Sequence, residues 1–118
     1  MDEREARTAF AALSQETRLR IVRLLVQAGP DGMAAGAIAE AVEVSPSNVS
    51  FHLKDLEHAG MIAPRREARS IIYSADLGGL SDLIAFLMQD CCAGHPKICA
   101  PALADARCRP AAKKKAHA

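Results

Sequence analysis

A small, mainly α-helical domain with one β-hairpin is what this sequence predicts, on three observations. Apolar stripes with helical period recur through the first half of the chain and again near residue 85. One segment, Ser45 to Gly60, carries both the start and the stop signals of a short helix. Directly after it, Met61–Arg66 and Ser70–Ser74 are two brief runs with β-type residues on either side of a charged turn. The chain has 118 residues, 50% of them hydrophobic, which suits one small domain. Its aromatics are Phe10, Phe51, Phe86 and Tyr73 alone, so the core must come from Leu, Ile, Val and many alanines. Helices built that way are thin and pack closely.

Taken in order, Glu3–Leu13 forms a first helix with Ala6, Phe10 and Leu13 on one stripe. Ser14 is expected to cap a second helix, Gln15–Ala28, which Gly29 and Pro30 end. Leu19, Ile21, Val22, Leu24, Leu25 and Val26 nearly surround that helix, which marks it as central, with Arg18, Arg20 and Arg23 projecting from it. Asp31 and Gly32 make a turn. A short third helix, Ala34–Val42, packs through Ile38, Ala41 and Val42, and Glu43 and Val44 join it to the next.

That next helix has the clearest boundaries in the chain. Ser45 is its N-cap and Pro46 its first helical residue, where a missing N–H is harmless. Val44 and Val49 are spaced as a hydrophobic staple. Gly60 can adopt the left-handed conformation that lets Met61 pack back towards Leu56. Val49, Leu53 and Leu56, joined by His52, share one face, and Ser47, Asn48, Ser50, Phe51 and Lys54 share the other. Two short helices, a tight connection and a polar-faced second helix make a helix-turn-helix. The second helix is shaped for a DNA major groove. Ser47, Asn48, Ser50 and Phe51 are placed to reach base edges, Phe51 suiting a thymine methyl, and Lys54 to reach phosphate.

Pro64 confines the first strand to a sheet edge. With Arg65 counted, the turn Arg66-Glu67-Ala68-Arg69 puts three arginines in five residues. Alone this is a solvated hairpin tip. Beside a groove-reading helix it is a wing, with Arg66 and Arg69 aimed at phosphate or minor groove. A last helix, Leu80–Gln89, repeats Leu80, Leu83, Ile84, Leu87 and Met88 at strict helical spacing. So small a core cannot cover this stripe and that of the first helix together. The two surplus faces predict a homodimer through the terminal helices.

Net charge is only +1, so the placement of charge has to decide about nucleic acid. The charged start MDEREARTAF is not a signal peptide, and no apolar run approaches the ~18 residues of a membrane span. No membrane partner and a cytoplasmic location are therefore expected. Disulfides are rare there, and four cysteines ask for another explanation. Three expected segments follow: 1–90 for DNA binding and dimerisation, 91–108 for the cysteines, and 109–118 as a basic disordered tail.

Cys91, Cys92 and Cys99 lie within QDCCAGHPKIC, and Cys108 follows. Soft thiolates select soft ions, and three sulfurs suit pyramidal trivalent arsenic or antimony as arsenite or antimonite. Neighbours on a regular helix point about 100° apart, so Cys91 and Cys92 converge only where helical geometry ends. Gly94 and Pro96 favour a turn that returns Cys99 to the pair. With His95 the set would instead hold zinc tetrahedrally. A disulfide switch is the third reading, although a bond between neighbours is strained. Folding itself is expected to need no cofactor.

The segments ALSQETRLRIVRLL, SPSNVSFHLKDLEHAGMI and RREARSIIYSA resemble the ArsR/SmtB family of winged-helix metalloregulatory repressors, over roughly Ala6 to Phe86. The resemblance implies a homodimer that occupies operator DNA and lets go when a metal or metalloid binds. The cysteine pair that some arsenic sensors carry on the third helix is absent from MAAGAIAEAV. The Asp/His zinc site of the terminal helix is not evident in SDLIAFLMQD. The remaining CC-x6-C cluster is similar to the C-terminal arsenite site of one arsenic-responsive subgroup. Ala68 stands where the family's wing turn commonly has glycine. Alanine at positive φ is costly, so a different turn is expected. The reading is an arsenite-responsive repressor. The alternatives are a zinc, cadmium or lead sensor using the same cysteines, a thiol redox sensor, or a non-regulatory DNA- or protein-binding module. Enzymatic activity is not expected, because His52, His58, His95 and His117 are scattered and no nucleophile–base motif accompanies them.

Overall fold

The computed structural model describes residues 1–89. Over these the order is α1 (Glu3–Leu13), α2 (Glu16–Ala28), a 3-10 turn (Gly29–Asp31), β1 (Met33–Ala34), α3 (Ala35–Val42), α4 (Pro46–His58), β2 (Ile62–Glu67), β3 (Ser70–Ala75) and α5 (Leu77–Met88). The residues group into a unit Met1–Phe86, and a second unit begins at Leu87. Cys91, Cys92, His95, Cys99, Cys108 and the tail 109–118 lie outside the described residues.

Local chemistry sets the helix ends. Asp2 and Glu5 form a reciprocal capping box on α1: Asp2 Oδ1 accepts from the Glu5 N–H at 2.8 Å, and Glu5 Oε1 accepts from the Asp2 N–H at 2.9 Å. Ser14 does not start α2 as the sequence suggests. Its N–H and hydroxyl both donate to the Ala11 carbonyl and close α1. Gln15 caps α2 instead, its side chain accepting from the Arg18 N–H at 2.9 Å.

The core is aliphatic, with Ile21, Leu25, Ile38, Val49, Leu53, Leu56, Met61 and Ile62 fully buried. On α1 the buried stripe is Ala6, Ala9 and Ala12, whereas Phe10 is 40% exposed. The expected Phe10 stripe is therefore wrong. An alanine row lets α1 approach α2 and α4 closely, and the bulky ring is turned out. On α3 the buried residues are Ile38 and Ala39, and Ala41 is exposed. On α5 Leu83 is buried, with Leu80 and Phe86 packed against the same core. Leu77, Ile84 and Leu87 stay exposed. Leu83 thus belongs to the protomer's own core and is not free to serve a dimer. α5 also begins three residues earlier than expected, because Asp76 Oδ1 accepts from the Gly79 N–H at 2.9 Å and seeds its first turn.

The strands form an antiparallel sheet in the order β1–β3–β2. β1 pairs Met33 with Tyr73 and Ala34 with Ile72, and β2 runs beside β3 from Ile62↔Ala75 to Glu67↔Ser70. Pro64 lies on β2, an edge strand, as its lack of an N–H requires.

Candidate nucleic-acid interface

The α3–α4 unit is joined by a three-residue turn. Glu43 takes the left-handed conformation at φ 59°, and the Val44 N–H donates to the Ala39 carbonyl at 3.1 Å. Ser45 then caps α4, its hydroxyl accepting from the Asn48 N–H at 3.3 Å. At the far end the Met61 N–H donates to Leu56 O and the Gly60 N–H to Glu57 O, both at 3.0 Å. That pair of bonds is a Schellman motif, and Gly60 supplies its positive φ of 79° without a Cβ penalty. Met61, thrown inwards by this turn, is fully buried together with Leu56.

The faces of α4 divide as the sequence predicts. Val49, Leu53 and Leu56 are buried and His52 is half-buried. Ser47, Asn48, Ser50, Phe51 and Lys54 are all exposed. Phe51 is 64% exposed, so it is no part of the core. Its ring meets His52 edge-on, with centroids 6.1 Å apart. Four hydrogen-bonding or charged side chains and one aromatic ring therefore share the solvent face of a helix whose other face is sealed.

Sequence reasoning missed a tether on this helix. Arg18, predicted to project from α2, pairs with Asp55 of α4 at 3.3 Å, and its side chain is only 19% exposed. The partner lies 37 residues away in sequence, where helical periodicity gives no signal. Arg18 Nε and His52 Nδ1 are buried without a hydrogen-bond partner among the described residues.

The hairpin turn consists of Ala68 and Arg69, between the paired Glu67 and Ser70. Ala68 does take positive φ, at 54°. The expectation of a different turn is overturned: the two-residue connection demands this conformation, whatever residue occupies it. Arg66 and Arg69 are exposed, and their side chains make no hydrogen bond or ion pair to a described residue. Arg65 is otherwise engaged. Its Nη1 donates to Pro30 O at 3.0 Å, its Nη2 to Asp31 O at 2.9 Å and its Nε to Glu67 Oε2 at 3.0 Å. Among the described residues no group of three or more His, Cys, Asp or Glu side chains is placed to hold a metal ion. No described helix is long and apolar enough to cross a membrane.

A capped, polar-faced second helix followed by an arginine-tipped hairpin defines a winged helix-turn-helix. Comparison with known proteins agrees. A model of a helix-turn-helix domain matches residues 13–65. The transcriptional repressor SdpR of Bacillus subtilis (strain 168) is 38% identical over 79 residues, which are 67% of this chain and 84% of SdpR. The uncharacterized HTH-type regulator YceK of the same organism is 36% identical over 61 residues, 52% of this chain but only 60% of YceK. An ArsR-like transcriptional regulator from Rhodococcus sp. RHA1 superposes with a TM-score of 0.67 at 26% identity, covering 87% of this chain and 92% of that one. A possible transcriptional regulator for arsenical resistance gives 0.57 at 32% identity, covering 65% and 77%. The homodimeric winged helix-turn-helix DNA-binding domain Mb0332 from Mycobacterium bovis gives 0.58 at 26% identity, covering 77% and 84%. The chain belongs to the ArsR-like family of transcriptional regulators. Its relatives are regulators and not enzymes.

Proposed function

We propose that the protein is a homodimeric repressor that binds operator DNA and is released when trivalent arsenic or antimony binds Cys91, Cys92 and Cys99. The DNA half rests on one observation above all: α4 buries Val49, Leu53 and Leu56 and leaves Ser47, Asn48, Ser50, Phe51 and Lys54 to solvent. Ser47, Asn48, Ser50 and Phe51 reach base edges in the major groove. Lys54, with Arg66 and Arg69 of the wing, neutralises phosphates or enters the minor groove.

Large apolar side chains left exposed on α1 and α5 favour the dimer: Phe10 at 40%, Ile84 at 37%, Leu87 at 58% and Leu77 at 64%. The related Mb0332 domain is homodimeric. A two-fold axis through such a contact presents two α4 helices to successive major grooves about 34–36 Å apart.

The ligand half rests on the donor set. Three cysteines in nine residues supply soft sulfur donors, and three of them satisfy a trivalent ion that carries a lone pair. The similar arsenical-resistance regulator points the same way. α5 ends at Met88, three residues before Cys91, so ligation pulls directly on the last turn of an exposed apolar helix. That pull changes the spacing of the two reading helices while the protein stays folded and dimeric. Coupling of about 1–3 kcal/mol is usual for such linkage.

His95 supports a second reading, a Cys3His zinc site. Native mass spectrometry with arsenite, zinc and cadmium, on the wild type and His95→Ala, separates them. Arsenite binding survives the substitution if three sulfurs suffice, and zinc binding weakens. A triple Cys→Ser variant of Cys91, Cys92 and Cys99 that still released DNA with arsenite would overturn the ligand half. Release by dissociation into monomers, seen in sedimentation, would overturn the mechanism.

A further inference from the structure

We propose that Arg65 is a positioning residue that clamps the wing to the 3-10 turn after α2 and so sets where Arg66 and Arg69 meet DNA, although sequence only counts it as a third arginine beside the wing turn. The inference rests on the DNA reading above. Its geometry stands independently.

Register places Arg65, Ile72 and Ala34 in one row across the sheet. The side chain of Arg65 crosses the central strand β3 and reaches the turn that precedes β1. There its two terminal nitrogens donate to successive carbonyls, Pro30 O at 3.0 Å and Asp31 O at 2.9 Å. Nε is taken by Glu67, two residues along the same strand and so on the same face. Arg66, between them, faces the other way. One guanidinium fork is thus held at three points, and its planar geometry makes that set of bonds directional.

The acceptors are fixed as firmly as the donor. Pro30 and Asp31 sit in a 3-10 turn closed by the Gly32 N–H donating to Gly29 O at 3.1 Å. Gly32 has φ 67°, and a Cβ there would run into the Tyr73 carbonyl of β3. The run Gly29-Pro30-Asp31-Gly32 is therefore a rigid bracket presenting two carbonyls to the wing. The base of the hairpin is seated by Ile62, Tyr73 and Ala75 on the core, but from Pro64 to Ile71 every residue is exposed, and a twisted two-stranded ribbon can swing at its tip. Tying its midpoint to the 3-10 turn restricts that swing and orients Arg66 and Arg69, whose side chains have no partner among the described residues.

A clamp and a phosphate contact respond differently to substitution. Arg65→Gln removes the charge and the fork, while Arg65→Lys keeps the charge and the aliphatic stem but cannot donate to two fixed carbonyls in one plane. The measurement is fluorescence anisotropy of the full-length protein on a duplex selected with the wild type from a randomised library, across a salt series, with thermal melts of each variant. The expected result is an affinity loss of about tenfold for both Arg65→Gln and Arg65→Lys, with the slope of log affinity against log salt unchanged. Arg66→Ala serves as the contrast and should lower that slope by about one. If Arg65→Gln does not melt cooperatively, Arg65→Lys alone decides. Full affinity in Arg65→Lys, or a lower slope in Arg65→Gln, overturns the clamp in favour of a phosphate contact. Wild-type affinity in both variants also overturns it. Failure of the wild type to bind any selected duplex overturns the DNA reading itself.

Discussion

The two elements proposed to face DNA, the helix α4 and the wing, are held to the body in opposite ways. α4 is seated by apolar burial: Val49, Leu53 and Leu56 are 1%, 1% and 0% exposed, and its C-terminal turn drives Met61 into the same core. Beyond its first residues the wing buries almost nothing. From Pro64 to Ile71 every residue is exposed, and the contacts that hold this stretch are strand pairing and the two bonds from Arg65 to Pro30 and Asp31. Burial places α4 rigidly enough for base edges to be matched to within the tolerance of a hydrogen bond. Polar tethering places the wing well enough for phosphates, which carry no sequence information. On the proposed DNA reading, the difference separates specificity from affinity along the chain.

That division can be broken first at its strongest point. Leu53→Ala should cost about 2–5 kcal/mol of folding stability by chemical denaturation, since the helix cannot collapse into the void. A loss below about 1 kcal/mol would mean that burial does not seat α4. Next in size, Asn48→Ala should weaken binding to the preferred duplex by about 1–3 kcal/mol and leave random-sequence binding nearly unchanged. Equal losses on both duplexes would move Asn48 to the phosphate class. Arg69→Ala should do the reverse, weakening every duplex alike and lowering the salt slope by about one. Smallest is Ala68→Gly. Relief of the positive φ, partly offset by glycine's greater freedom in the unfolded chain, should stabilise the fold by at most about 1 kcal/mol. Its salt slope should not change, because no charge is altered.

Much of this was legible in the sequence where the determinants are local. Ser45 and Pro46 mark one end of α4 and Gly60 the other, and its two faces follow from helical period alone. The wing arginines at positions 66 and 69 were equally plain. What stayed hidden depends on distant partners. β1 is only two residues, Met33 and Ala34, and is a strand because the bracket turn lays it beside β3. The alanine stripe of α1 won over Phe10 because α2 and α4 come close enough to reward small residues. Arg18, read as a projecting cation, found a partner 37 residues away at Asp55, and Arg65, counted with the wing arginines, found partners 35 and 34 residues away at Pro30 and Asp31. Charge and spacing in sequence cannot distinguish a cation waiting for phosphate from one already committed to a carbonyl. Of the candidate site, the cysteine ligands rest on sequence chemistry alone.

Linkage offers the most direct test of the proposed control of DNA binding by the cysteines. Arsenite affinity should be measured by calorimetry on the wild-type protein, free and saturated with a selected duplex. Reciprocity requires duplex to weaken arsenite binding by the same factor by which arsenite weakens duplex binding, roughly five- to 150-fold for a coupling of about 1–3 kcal/mol. Reduced arsenite affinity by a matching factor is the predicted result. Equal arsenite affinities with and without duplex would contradict it.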